Sequence, residues 1–226
     1  ASVTVDVSPD AVPPVVTQLR AAIAAGTIGT STVPGRLSWQ GVDSVTGIAG
    51  FELQRRSGGH WVNVALASPV ATSVELPLAV GSAARFRIRA TDGAGNRSPF
   101  TEWGSIEVRR AQEGSGAIDW TGTWHEADGA RYSGGHSRHA SAHSRRATFA
   151  FTGHAIGLVS RRSPSGGHAD VRIDGVKVAT IDLSASTERY RRIVFRHALA
   201  GGGPHTIEIR PVGDGRVDID AFIVLD

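Results

Sequence analysis

The residues of this 226-residue chain that could do chemistry gather between Asp128 and Asp170, a stretch without a single acid. Arg131, Arg138, Arg145, Arg146, Arg161 and Arg162 fall there, with His136, His139, His143, His154 and His168. Guanidinium groups grip carboxylate or phosphate through a two-pronged contact. Arg161, Arg162 and His168, around the loop SRRSPSGGH (160–168), therefore favour an anionic ligand, and Arg138 belongs with them. Sugars present a C–H face and a border of hydroxyls, so they need an aromatic surface and planar polar groups. Tyr132 in RYSGG and Tyr190 in TERYRR are the aromatic residues least committed to a core.

Metal and nucleophile motifs fare differently. The histidines of HSRHASAH stand three and four apart, a spacing that would align them for zinc on a helix. Ser and Ala surround them, which reads instead as a solvated loop. His125-Glu126 opens like a metalloprotease HExxH motif, but position 129 is glycine and the second ligand is missing. Asp92, Gly93, Gly95 and Asn96 lack the oxygen series of an EF-hand and read as a tight turn. There is no GxSxG elbow for a nucleophilic serine, and no cysteine for thiol chemistry or disulfides.

The elements that must position these groups are short. In the second half FAFTG (149–153), IGLVS (156–160), ADVRIDG (169–175), VATIDL (178–183), RRIVF (191–195), HTIEI (205–209) and VDIDAFIVL (217–225) each end at a turn. Their period-two alternation predicts strands with one buried face. Asp174-Gly175 is a two-residue hairpin turn of type I′. In the closing segment Val217, Ile219, Ala221 and Ile223 alternate with Asp218, Asp220 and Phe222, predicting a final strand with one apolar face. The first half predicts strands at RLSWQ (36–40), GFELQRR (50–56), HWVNVAL (60–66), TSVELPL (72–78), ARFRIRATD (84–92) and SIEVR (105–109). Residues 13–25 fit either a helical face or an extended segment.

Composition narrows the class. With 28 Gly and 10 Pro between short apolar runs, the chain needs many turns, which favours an all-β fold. Two halves of roughly 110 residues would each bury about two-thirds of their unfolded surface, enough for separate cores. The net charge of +3 argues against nucleic acid, and no apolar run approaches the roughly 20 residues of a membrane span. Lys177 is the only lysine, and with no Met in the chain Ala1 is expected to be a processed end.

Two resemblances emerge from these segments. LSWQGVDSVTGIAGFELQRR followed by RFRIRATDGAGNRSPF resembles a bacterial fibronectin type III or immunoglobulin-like domain over residues 12–110, after an N-terminal arm at 1–11. This resemblance implies a core tryptophan at Trp39 and a spacer or adhesion role. The small, polar stretch AQEGSGA (111–117) reads as a linker. Beyond it, TGTW, RYSGG, ATFAFTG, ADVRIDGVKVATIDL, GGPHTIEIR and VDIDAFIVLD together resemble a galactose-binding-like jelly roll over 118–226, of the kind found in secreted actinobacterial proteins.

What the second resemblance implies is a non-catalytic, extracellular module that attaches a larger secreted protein to a polysaccharide or cell-wall glycan, with Tyr132, Arg138, Arg161, Arg162, His168 and Tyr190 at the ligand. It also implies a structural calcium ion held by an acid near the first strand and one on the last, which are Glu126 and Asp220 here. The rival expectation is a structural or adhesion stalk that binds protein or only spaces domains.

Overall fold

The computed structural model describes residues 9–226, so most of the expected arm at 1–11 lies outside the described residues. Among them the chain forms twenty strands. The first nine are β1 (Val15–Ile23), β2 (Gly26–Thr27), β3 (Thr32–Val42), β4 (Ile48–Ser57), β5 (His60–Val64), β6 (Ser73–Ala79), β7 (Phe86–Asp92), β8 (Thr101–Glu102) and β9 (Val108–Gln112). Then come β10 (Ile118–Thr121), β11 (His125–Asp128), β12 (His136–Ala140), β13 (Arg146–Thr152), β14 (Ala155–Arg162) and β15 (His168–Ile173). The last are β16 (Val176–Asp182), β17 (Arg189–Ala198), β18 (Pro204–Pro211), β19 (Val217–Ile219) and β20 (Ala221–Leu225). The all-β class expected from sequence is what the chain adopts, and the ambiguous residues 13–25 contain a strand, β1.

Two compact units result. The first takes in the described residues up to Ala21, Arg36–Glu75 and Ala84–Ser105, and the second takes in Ala22–Gly35, Leu76–Ala83 and Ile106–Asp226. The second unit thus reaches well back before the expected boundary at 118. The segment read as a linker also begins inside a strand, because Ala111 and Gln112 of β9 pair with Phe222 and Ala221 of β20. Small polar residues signalled flexibility there, but backbone pairing with the last strand overrides composition.

In the first unit, β5, β4, β7 and β8 form one sheet. Trp39 is 2% exposed and meets Phe51 and Trp103 edge to face, at 5.9 and 6.1 Å between ring centroids. Gly58 and Gly59, both at positive φ, close the β4–β5 hairpin.

In the second unit, β10-β13-β18-β15-β16 and β2-β17-β14-β20-β9 are the two sheets of a jelly-roll sandwich, and β11-β12-β19 is a smaller third sheet. Phe149 and Phe151 of β13, Val171 of β15, Ile207 and Ile209 of β18, Leu158 of β14 and Phe222 and Val224 of β20 share one core. Phe149 stacks on Phe222 at 5.0 Å, joining the two sheets face to face. The closing segment departs from expectation: Val217 through Leu225 are all buried, Asp218 and Asp220 included. A period-two strand with one wet face suits a sheet covered on one side. Here a Cβ on Gly157 of β14 would lie 3.4 Å from Ile23 and 3.7 Å from Ile223, so the outer face is covered as well.

The Asp174-Gly175 turn is as its sequence predicts, with φ of 49° and 81°. The Asp174 carboxylate accepts the Thr206 N–H at 2.8 Å and contacts His205 Nδ1 at 2.7 Å, tying the hairpin to β18. Placing a Cβ at Gly175 puts an ordinary residue in the left-handed region. Gly175→Ala is therefore expected to lower the unfolding free energy by about 1–2 kcal/mol, read from denaturant melts.

Candidate functional site

The loop after Asp128 and the end of β14 bring the rare chemistry of the chain to one end of the second unit. Gly134 and Gly135 take positive φ in the 3-10 turn Ser133–Gly135, and this turn presents Tyr132. Tyr132 is only 4% exposed; its ring meets Tyr190 edge to face at 5.0 Å. The two tyrosines and Arg161 therefore do come together. They do so as a packed cluster, because aromatic rings at this distance exclude solvent from one another.

Asp218 sits at the centre. Its side chain is 2% exposed and is held in a fork by Arg216, through Nε at 2.8 Å and a second nitrogen at 2.6 Å. Arg161 stands 3.7 Å away, a charge contact too long for a hydrogen bond. Arg161 donates instead to Ser163 and Ser165, at 3.0 and 3.2 Å, and pairs with Glu188 at 3.2 Å. Burial works against the Arg161 charge, yet Asp218, Tyr132, Tyr190 and Glu188 together more than offset it, so its pKa lies above the usual guanidinium value. Arg216 reaches Tyr132 Oη at 3.5 Å.

Two glycines make this possible. A Cβ on Gly167 would come within 2.6 Å of the Gly215 backbone, and one on Gly166 within 2.0 Å of the Leu183 carbonyl oxygen. The loop 160–168 is pinned at this close approach: Gly167 N–H donates to the Arg216 carbonyl, and Arg216 N–H to the Ser165 carbonyl.

The other expected ligand residues lie elsewhere. Arg138 points away from Asp218, pairing with Glu126 at 3.0 Å and lying over Trp120 at 5.1 Å. Arg162 follows Arg161 on a strand and so faces the opposite way, donating to the Ser184 carbonyl at 2.8 Å. His168 is held by Asp214, 2.6 Å from its Nδ1. Side-chain period two, invisible in a loop reading, separates these groups.

Beside the cluster a cavity of about 340 Å³ opens between Thr123, His125, His139, Ser141, Arg145 and Arg216. Sequence reasoning did not single out His125, Arg145 or Arg216 for ligand binding; the signal is the register. His125 of β11 lies directly opposite His139 of β12, which lies opposite Asp218 of β19. Their rings are 5.6 Å apart. HSRHASAH is thus part strand, and residues 136 and 139 fall on opposite faces, unlike the aligned set a zinc site needs. Burial and then the charge of Arg216 hold His139 below its usual 6.5.

Glu126 and Asp220, expected to share calcium, differ in burial. Glu126 is an exposed partner of Arg138, and the carboxylate whose charge acts most on Asp220 is Glu113. Asp220 is fully buried; one oxygen accepts the Ser133 N–H at 2.8 Å. Its other oxygen has no partner among the described residues, nor have Gln112 Oε1 and Glu113 Oε2. Desolvation pushes Asp220 up to about 7 and also raises Glu113. In the first unit Asp10, Asp43 and Asp92 also bring carboxylate oxygens within 4.8 Å of one another. Those of Asp92 are taken by Ala94 and Asn96, and those of Asp10 by Val12 and Thr46.

No family model matches the chain. A curated protein similar in sequence is the A type blood alpha-D-galactosamine galactosaminidase of Flavonifractor plautii, 31% identical over 106 residues. That match covers 47% of this chain and 10% of the relative, so the chain spans only a small part of that protein's length. Structures with some likeness include a family 35 carbohydrate binding module from Clostridium thermocellum, 13% identical with a TM-score of 0.41 over 52% of this chain and 97% of that one. A family two carbohydrate esterase from Cellvibrio japonicus gives 16% and 0.41, over 53% and 34%.

Removing one cation from a buried carboxylate leaves charge uncompensated. Arg216→Ala is expected to cost about 3 kcal/mol of stability, and Asp218→Asn in the same chain to restore part of it, as read by chemical denaturation.

Proposed function

We propose that the second unit is a non-catalytic carbohydrate-binding module that holds a longer, exported protein on a polysaccharide or cell-wall glycan. The observation that carries this reading is the cavity at His125, His139 and Arg145, set beside a packed base of Arg216, Asp218, Arg161 and Tyr132. Ligand sites of this kind are concave, rigid and supplied with a few convergent polar groups. Among the described residues no carboxylate lines the cavity, whereas glycoside hydrolysis works through a facing pair. The curated relative is named for acting on a galactosamine glycan, and the shared 106 residues have the size of one domain rather than of that whole protein. The first unit, with Trp39 in its core, fits a fibronectin type III or immunoglobulin-like spacer.

Retention on a panel of neutral and charged polysaccharides tests the reading. The chain is expected to bind at least one of them, and His125→Ala to weaken that binding about tenfold, or roughly 1.4 kcal/mol, with an unchanged melting midpoint. Retention by no polysaccharide would overturn it.

The same reading includes a structural calcium ion. Gln112, Glu113 and Asp220 would hold it through the three buried oxygens that lack partners, and hard oxygen donors suit this ion. Its chemistry would be electrostatic, neutralising Asp220 and tying β9 to the closing segment. Calcium at about a hundred times its dissociation constant would add about 2.7 kcal/mol, so chelator is expected to lower the melting temperature of the native chain and not that of Asp220→Asn. A native midpoint indifferent to both calcium and chelator removes the ion from the account.

A further inference from the structure

We propose that the cavity between β11, β12 and the Arg216 segment is an oxyanion subsite, in which Arg145, His125 and His139 receive a sulfate ester, phosphate ester or uronate carboxylate carried by the glycan. The inference rests on the carbohydrate-binding reading and assigns the ligand's charge and the residues that read it. Arg161, Arg162 and His168, the anion-binding residues expected from sequence, are each engaged by Glu188, Ser184 and Asp214. Arg145 is different. Among the described residues it has no carboxylate partner, and its guanidinium hydrogen-bonds only Ser144, at 3.3 Å.

Arg145 is nevertheless held in place. Its stem lies across Gly122, which sits at φ of +76°, and a Cβ there would come within 2.6 Å of Arg145 Cδ. Arg145 and the two imidazoles of His125 and His139 line the same cavity, and the imidazole rings are 5.6 Å apart. Arg216 closes the floor. Asp218, the carboxylate beneath it, is already forked by Arg216 and faced by Arg161. With those charges paired, Arg145 is the cation on the cavity wall left without a carboxylate among the described residues. Burial, and after it the charge of Arg216, hold the neighbouring His139 toward its neutral form, with Asp218 opposing. At about 340 Å³ the cavity is at the small end of ligand pockets, the scale of a single sugar ring with its substituent. A charge-assisted contact inside such a concavity is screened less by salt than one on an open surface.

The test uses the full chain and four polymers: a sulfated galactan, the same galactan desulfated, a polyuronate, and its carboxyl-reduced form. Binding is measured by affinity electrophoresis at low and at physiological salt. One charged polymer is expected to bind at least tenfold more tightly than its neutral counterpart, with affinity falling as salt rises. Which charged polymer it is separates the ester from the carboxylate. Arg145→Gln should weaken that binding about tenfold and flatten its salt dependence, while the exposed Arg189→Gln should leave both unchanged. Melting curves of both variants verify the fold, since neither side chain is part of a buried pair. Equal binding of charged and neutral forms would overturn the oxyanion subsite and leave the carbohydrate-binding reading standing. So would equal losses in the two variants. Binding to none of the four, with retention on other neutral glycans, also overturns the subsite alone; no glycan binding at all removes both.

Discussion

The candidate site depends on one buried carboxylate. Asp218 enters the second unit on a strand whose neighbours are all buried, and a carboxylate placed there needs cations and donors beside it. Arg216 and Arg161 meet that demand from two different segments. Each then needs its own supports: Tyr132 and the Ser165 carbonyl around Arg216, and Ser163, Ser165 and Glu188 around Arg161. A buried ion pair of this sort adds little net stability, because desolvation consumes much of the Coulombic gain. Its consequence is geometric. With the charges paired in one way, the loop 160–168, the turn at Tyr132 and the strands β12 and β19 have one compatible arrangement.

That arrangement divides labour between paired and open groups. The tyrosines and the innermost arginines form a base that excludes water, and the neighbouring histidines and Arg145 face the cavity. Residues on the base cannot turn toward a ligand without uncovering Asp218. Residues at the mouth can be approached at little cost, which is the usual layout of a preorganised binding surface. Asp220 differs: among the described residues one of its carboxylate oxygens is buried without a hydrogen-bond partner, as are Gln112 Oε1 and Glu113 Oε2.

Much of the fold was legible in the chain. The seven segments of the second half all correspond to strands, because alternation of apolar and polar residues reports directly on a pleated, half-buried surface. The hairpin at Asp174-Gly175 was legible for an equally local reason, since only residues tolerant of positive φ close such a turn. Less local features were not. The pairing of Ala111 and Gln112 with β20 joins residues over a hundred positions apart, and nothing in a glycine-bearing stretch announces it. Ile23, far back in the chain, packs at Gly157 of β14 beside Ile223 of the closing strand, a contact that no local pattern announces.

By itself, then, the sequence determined the β architecture, the second-half strand segments and the acid-free, arginine-rich character of the loops, since each is a property of composition or of neighbours along the chain. Only the tertiary structure decided which of those charged groups are free. Arg161, Arg162 and His168 look available in a one-dimensional reading and are each engaged by a group from elsewhere in the fold, whereas Arg145 is left without a carboxylate among the described residues. The reason is physical: availability depends on which carboxylates and carbonyls the strands bring alongside, and strand register sets that across long separations in sequence.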